Sequence, residues 1–369
     1  MSYQKRIDQL LDRLKDARLG AMALIPGPSL FYLSGLSFHL MERPVIALLS
    51  DEAELRMVVP ELEQAKAESS PVSFKLFAYG EEEGAAPEAL SRAVADLGLD
   101  GGKIGVEPLS MRFYELELLQ NAVPRATFTR SDGAISGLRI RKSEAEIAAM
   151  QRAAEIAEAA LDATLPLIKV GMTELELASE LTAQLLRAGS DPETPFSPIV
   201  ASGPNSAQGH ATPGDRTLSP GDSLVLDWGA THKGYMSDIT RTFFVAEVPE
   251  ELNKIHTIVQ QANATGRESV HPGVSAGSVD LAARSEIEAA GYGEYFIHRT
   301  GHGLGLEAHE PPYIRAGEET VLERGMTFTV EPGVYLPGRG GVRVEDDMVV
   351  TEDGGLSMTT LPREARVVG

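Results

Sequence analysis

The 369-residue sequence predicts an α+β protein in two domains, a smaller α/β domain over residues 1–132 and a larger one over 133–369. Three observations carry this. The length exceeds that of one ordinary domain. The first third alternates apolar strand runs (AMALI, PVIALLS, LRMVVP, KIGVE) with helical periods near 60–69, 85–98 and 110–121. The remainder repeats one order, helix, helix, strands, which marks an internal duplication.

The opening segment, MSYQKRIDQLLDRLKDARLG, is an amphipathic polar helix without an apolar signal core. No later run approaches the roughly 18 apolar residues of a membrane span, so a cytoplasmic chain without a membrane partner is expected. Thirty-three basic against 54 acidic side chains give a charge of -21, which argues against nucleic acid as a partner. With no cysteine present, thiolate catalysis, disulfides and Cys-zinc sites are excluded. Any metal must sit on His, Asp and Glu.

The stretch RSDGAISGLRIRKSEAEIAAM changes character, from polar and Gly-containing to Ala/Glu-rich. Ser143 is placed to cap a long helix through about Ala163. Further helices are expected at Thr173–Leu186, about 249–268 and about 275–290, each pair followed by strands. The strand segments test the duplication. Gly221-Asp-Ser-Leu-Val-Leu-Asp227-Trp-Gly229 lies over Gly325-Met-Thr-Phe-Thr-Val-Glu331-Pro-Gly333 at a constant offset of 104. Each copy then reaches a second acid, Asp238 after 11 residues and Glu345 after 14, so the second hairpin is three residues longer.

Any one of these acids alone reads equally well as a solvated turn residue. The apolar flanks LVLD and FTVE, however, predict burial for Asp227 and Glu331, and a buried carboxylate needs a compensating cation. Four such acids facing one another across a pseudo-two-fold axis call for a pair of divalent metals. Histidines gather nearby in GHGLGLEAHE, residues 301–310, with His298 just upstream. Its glycines oppose a helix, so an extended or looped backbone is expected there. His302 then completes a site of four carboxylates and one imidazole.

With LDWGATHKGYMSDITRTF, ASGPNSAQGH, HRTGHGLGLEAHE, TVEPGVYLPG and VRVEDD together, the chain resembles the Xaa-Pro peptidases, the prolidase and aminopeptidase P group. The resemblance implies a C-terminal pita-bread fold, shared with creatinase and methionine aminopeptidase, behind a creatinase-like N-terminal domain. It implies that Asp227 chelates one metal, that His302 and Glu331 serve the other, and that Asp238 and Glu345 bridge. Glu331 is implied as general base, His309 as donor to the oxyanion, and His210 as a group approaching the scissile bond. His298, Tyr335 and Arg343 are implied for the proline pocket. Arg343 also reads as an ion-pair partner of a site acid, and Tyr335 as packing. His232, His256 and His271 read as structural or solvated.

The expected reaction is metal-dependent hydrolysis of an Xaa-Pro bond, in dipeptides (prolidase) or in longer peptides (aminopeptidase P). A dipeptide carboxylate calls for an arginine, and Arg43 in LSFHLMERPV and Arg339 in LPGRGG are the two candidates. The compact N-terminal domain tilts the expectation to prolidase. Some relatives keep the fold as a binding module without the metal ligands; the intact ligand set here speaks against that. Four carboxylates and one His suit Mn(II), with Co(II) and Zn(II) also fitting. A homodimer is expected from the resemblance. Trp228, beside Asp227, either packs behind the site or narrows it.

Overall fold

The computed structural model describes residues 2–50 and 54–369, which divide into two compact units, Met1–Arg139 and Ile140–Gly369. The first unit contains α1 (Tyr3–Asp16), β1 (Ala21–Leu24), α2 (Pro28–Ser34), β2 (Ile46–Ser50), β3 (Leu55–Pro60), α3 (Gln64–Glu68), β4 (Phe74–Tyr79), α4 (Ala85–Asp96), β5 (Gly102–Val106), α5 (Phe113–Ala122), β6 (Ala126–Arg130) and α6 (Asp132–Arg139). Its six strands form one mixed sheet, ordered β4-β3-β2-β1-β5-β6. The central strands β1 to β3 are buried on both faces, which is why they read as unbroken apolar runs. α4 and α5 cover one face through Leu90, Val94, Leu118 and Leu119. α6, which follows residue 132, packs with α1 in this unit.

The second unit opens with α7 (Glu144–Thr164) and α8 (Glu174–Ala188). Both begin with reciprocal caps: Ser143 with Glu146, and Thr173 with Glu176. The strands β7 (Ile199–Ser202), β8 (Ser223–Trp228), β9 (Thr231–His232), β10 (Tyr235–Met236) and β11 (Ile239–Val245) follow, then α9 (Glu250–Glu268) and α10 (Ala276–Ala289). The last strands are β12 (Gly301–Gly303), β13 (Glu310–Ile314), β14 (Thr327–Val330), β15 (Gly333–Leu336), β16 (Gly340–Arg343), β17 (Asp346–Val350), β18 (Gly355–Ser357) and β19 (Arg366–Val368). Two larger sheets result, ordered β19-β11-β8-β7 and β13-β12-β14-β17-β18, beside the two-stranded pairs β10-β9 and β15-β16.

Matching hydrogen bonds show the duplication in the backbone. Gly171 N donates to Leu218 O (2.9 Å), and Gly273 N to Leu322 O (2.8 Å). Gly221 N donates to Val245 O, and Gly325 N to Val350 O, both at 2.9 Å. Each helix pair covers its own sheet. Leu177, Leu181 and Leu185 of α8 meet Leu224 and Leu226, while Val279 of α10 meets Phe328 and Val330. Trp228 is fully buried in the first of these cores, and its indole N–H donates to Ala157 O on α7 at 2.9 Å. It packs behind the site and does not narrow it.

Candidate metal centre

The two sheets place their acids at strand ends around one cleft of about 1030 Å³. Asp227 lies near the end of β8 and Asp238 just before β11. Glu331 follows β14, and Glu345 lies between β16 and β17. His302 is the middle residue of β12. A Cβ at Gly301 would fall 1.9 Å from Thr329 O, and one at Gly303 2.3 Å from Glu310 O. Only glycine lets β12 come this close to its neighbours, so these residues set the depth at which His302 sits.

The side chains converge. Ligand atoms of Asp238, His302 and Glu345 all lie within 4.8 Å of one another. His302 Nε2 is 3.8 Å from Asp238 Oδ2 and 3.3 Å from Glu331 Oε1. Its Nδ1 faces Gly303 O at 3.2 Å, which leaves Nε2 for the cluster. Asp227 lies on the other flank, beside the Asp238 carboxyl, with Oδ2 held by Arg343 Nη2 at 2.5 Å.

The electrostatics fit divalent cations. Burial pushes the carboxyls of Asp238 and Glu345 well above the ordinary carboxylate range, and the facing acids add to it. Glu331 is raised to about 7, first by burial, against the pull of Arg343. Burial and the neighbouring His309 drive His302 well below the usual histidine value, so it is a neutral ligand. Asp227 Oδ1 is buried and makes no hydrogen bond within the described residues. Mutually repelling buried acids, a neutral imidazole and an orphaned carboxylate oxygen form a donor set that two dications would neutralise.

Around the acids, His210, His298, His309 and Arg343 line the same cleft. The His302 and His309 rings lie 3.9 Å apart between centroids. Burial lowers His298 to about 4, so it is uncharged at neutral pH. Tyr335 is not a lining residue. It is buried one layer back, where its hydroxyl meets His298 Nε2 at 2.8 Å and Arg343 Nη1 at 2.9 Å. Arg343 also donates to Thr240 Oγ1 (3.0 Å) and Gly209 O (3.1 Å), in keeping with the ion-pair reading. The two candidate carboxylate readers are occupied. Arg43, in the first unit, pairs with Glu81 (3.0 Å) and Glu42 (3.6 Å), and Arg339 pairs with Glu251 (2.5 Å).

Three contributors escaped the sequence reading. Thr240 donates its hydroxyl to Glu345, and its place two residues after Asp238 was the available signal. Asp347 Oδ2 accepts from Asp238 N at 3.1 Å and so fixes that backbone. Arg299, the neighbour of His298, lines the cleft.

Relatives of known kind share this architecture. An Xaa-Pro dipeptidase of Pyrococcus horikoshii is 34% identical over 360 residues, 98% of each chain. A prolidase from Thermococcus sibiricus superposes with a TM-score of 0.95 at 33% identity, over all of both chains. An X-Pro aminopeptidase from Thermotoga maritima superposes with a TM-score of 0.86 at 32% identity, over 98% of this chain and 99% of that one. Residues 6–141 match the creatinase/prolidase N-terminal domain. Residues 148–352, more than half of the chain, match metallopeptidase family M24, and the protein belongs to that family.

Proposed function

We propose that the protein hydrolyses the Xaa-Pro bond of dipeptides, using two divalent cations, Mn(II) by preference, held by Asp227, Asp238, His302, Glu331 and Glu345. The observation that carries this is the convergence of three buried acids, the partly buried Glu331 and a neutral imidazole on one cleft. The Xaa-Pro dipeptidase and prolidase relatives, matched along nearly their whole length, support the substrate class.

The bound cations would supply Lewis-acid polarisation of the scissile carbonyl and a lowered pKa for the attacking water. The remaining steps belong to side chains. Glu331 takes the water proton and passes it to the proline nitrogen, which carries no hydrogen of its own in the peptide bond. His309, exposed at the cleft, donates to the oxygen that gains charge. His210 approaches from the first half. His298, held by Tyr335 and by Arg299 O, shapes the proline pocket. Arg343 fixes Asp227 and Tyr335 with one guanidinium.

The test compares Ala-Pro with Ala-Pro-Ala on chelated enzyme reconstituted with Mn(II). Faster hydrolysis of Ala-Pro is expected. Preference for the tripeptide would make the protein an aminopeptidase P, and absence of both metal binding and hydrolysis would make it a binding module.

A further inference from the structure

One buried charge pair of the second unit lies outside the metal centre. Lys142, just before the cap of α7, places its ammonium 2.6 Å from Glu310 Oε1, with the two side chains only 2% and 4% exposed. Withdrawing two full charges from water is costly, and apolar residues in their place often stabilise a fold as well or better. What such a pair contributes is a fixed geometry. Here the lysine is anchored from behind: its backbone N–H donates to Gly325 O at 2.7 Å, and Arg141 bridges Met326, the residue before β14.

Glu310 opens β13, and the residue before it is His309. Residues 304–309 form the connection from β12 to β13, and the ion pair pins its outgoing end. Its incoming end is pinned as well. Thr327 Oγ1 donates to Leu304 O at 2.7 Å, and Met236 N donates to Gly305 O at 2.8 Å. Gly305 then lies flat on the ion pair: a Cβ there would fall 2.8 Å from both Glu310 Oε1 and Lys142 Cε. The loop is thus wrapped over the two charges, and its last residues, Glu307, Ala308 and His309, form part of the cleft wall. No hydrogen bond among the described residues orients the His309 ring, whose neighbour is the His302 ring at 3.9 Å. Its direction follows from the backbone that carries it.

We propose that Lys142 and Glu310 are positioning residues for His309: their ion pair holds the 304–309 loop so that the imidazole faces the oxygen that gains charge during hydrolysis. The assignment rests on the reading of His309 as the donor to that oxygen. The two charges offset each other, so the pair adds little net field to the cleft and acts through the place it gives the loop. It therefore governs turnover, and leaves substrate binding and metal retention to other residues.

The experiment is a double-mutant cycle on Mn(II)-loaded enzyme, with Ala-Pro and Ala-Pro-Ala as substrates. Lys142→Met keeps the length of the side chain and removes its charge. It should lower kcat about 10-fold or more through displacement of the imidazole, with KM within about twofold and metal content unchanged. In a His309→Asn background the same substitution should lower kcat by less than about twofold, because the group it positions is already gone. Glu310→Gln keeps the shape and a weaker hydrogen bond, so it should repeat this pattern with a smaller loss. It carries the test should Lys142→Met fail to fold. Equal fold-losses with and without His309, or a loss confined to KM or to metal content, would overturn the assignment while leaving the dipeptidase reading intact. A wild type that hydrolyses neither substrate would remove both.

Discussion

The two halves of the catalytic unit share a backbone plan but not a chemistry. Each half gives the cleft two acids, Asp227 and Asp238 from the first, Glu331 and Glu345 from the second. Each anchors its long helix on its strands. In the first half the strand provides the donor, Trp228 to Ala157 O. In the second the helix does, with Asn263 Nδ2 donating to Val330 O at 2.9 Å and to Val344 O. The bases are one-sided. His298, His302 and His309 all come from the second half, and only His210 faces them from the first. The symmetric part of the site is therefore what a charge-neutral home for two cations requires, and the asymmetric part handles a substrate that has no symmetry.

If that division is right, an acid from either half should be equally indispensable. Asp238→Asn and Glu345→Gln should each lower kcat by about 10³-fold or more, and plasma emission should show lowered metal content in both. One variant that keeps its full metal load while the other loses it would break the equivalence of the halves. The contrast with histidine is the second arm: His309→Asn should lower kcat by about 10²-fold with metal content intact.

The symmetric features were also the legible ones. Ser143 and Glu146 lie three residues apart, so the start of α7 was readable locally. The acids were readable because a strand pattern repeats at an offset of 104. Partners brought together by tertiary folding were not. The Arg43 ion pair with Glu81 spans 38 residues, and the Trp228 bond to Ala157 spans 71. Tyr335 was placed in the pocket by its motif, but the hairpin β15–β16 turns its ring behind His298. The place of Arg299 on the cleft wall likewise emerges only in the folded chain.

A smaller effect separates the helix pairs. α7 and α8 carry no histidine, whereas His256 on α9 is 2% exposed and hydrogen-bonded to the Thr242 backbone. Burial, the larger cause, lowers its pKa to about 4 from 6.5. The folded state therefore refuses a proton that the unfolded chain takes up below about pH 6.5. Stability should be fully present above that pH and decline through the window down to about 4, by roughly 3 kcal/mol from this group. His256→Gln should flatten this slope in metal-free protein melted across the window. A slope unchanged in the variant would place the acid sensitivity elsewhere.

The last contrast concerns two buried carboxylates that do the same job in the two halves. Glu174, at the start of α8, accepts from Ser202 N and Oγ, both at 2.7 Å. Asp280, on α10, accepts from Thr300 N (3.1 Å) and Oγ1 (2.8 Å). Asp280 carries an additional duty, pairing with Arg284, which donates to His298 O at 2.8 Å. Glu174→Gln should cost about 1–2 kcal/mol and Asp280→Asn about 2–3 kcal/mol in urea unfolding, since the second also strands a cation. The kinetic readout separates them further. Asp280 supports the backbone leading through Arg299 and Thr300 to His302, so Asp280→Asn should raise KM for Ala-Pro several-fold more than Glu174→Gln does. Equal kinetic effects would mean that Asp280 merely ties helix to strand, as Glu174 does, and that the asymmetry of the site begins only at the histidines themselves.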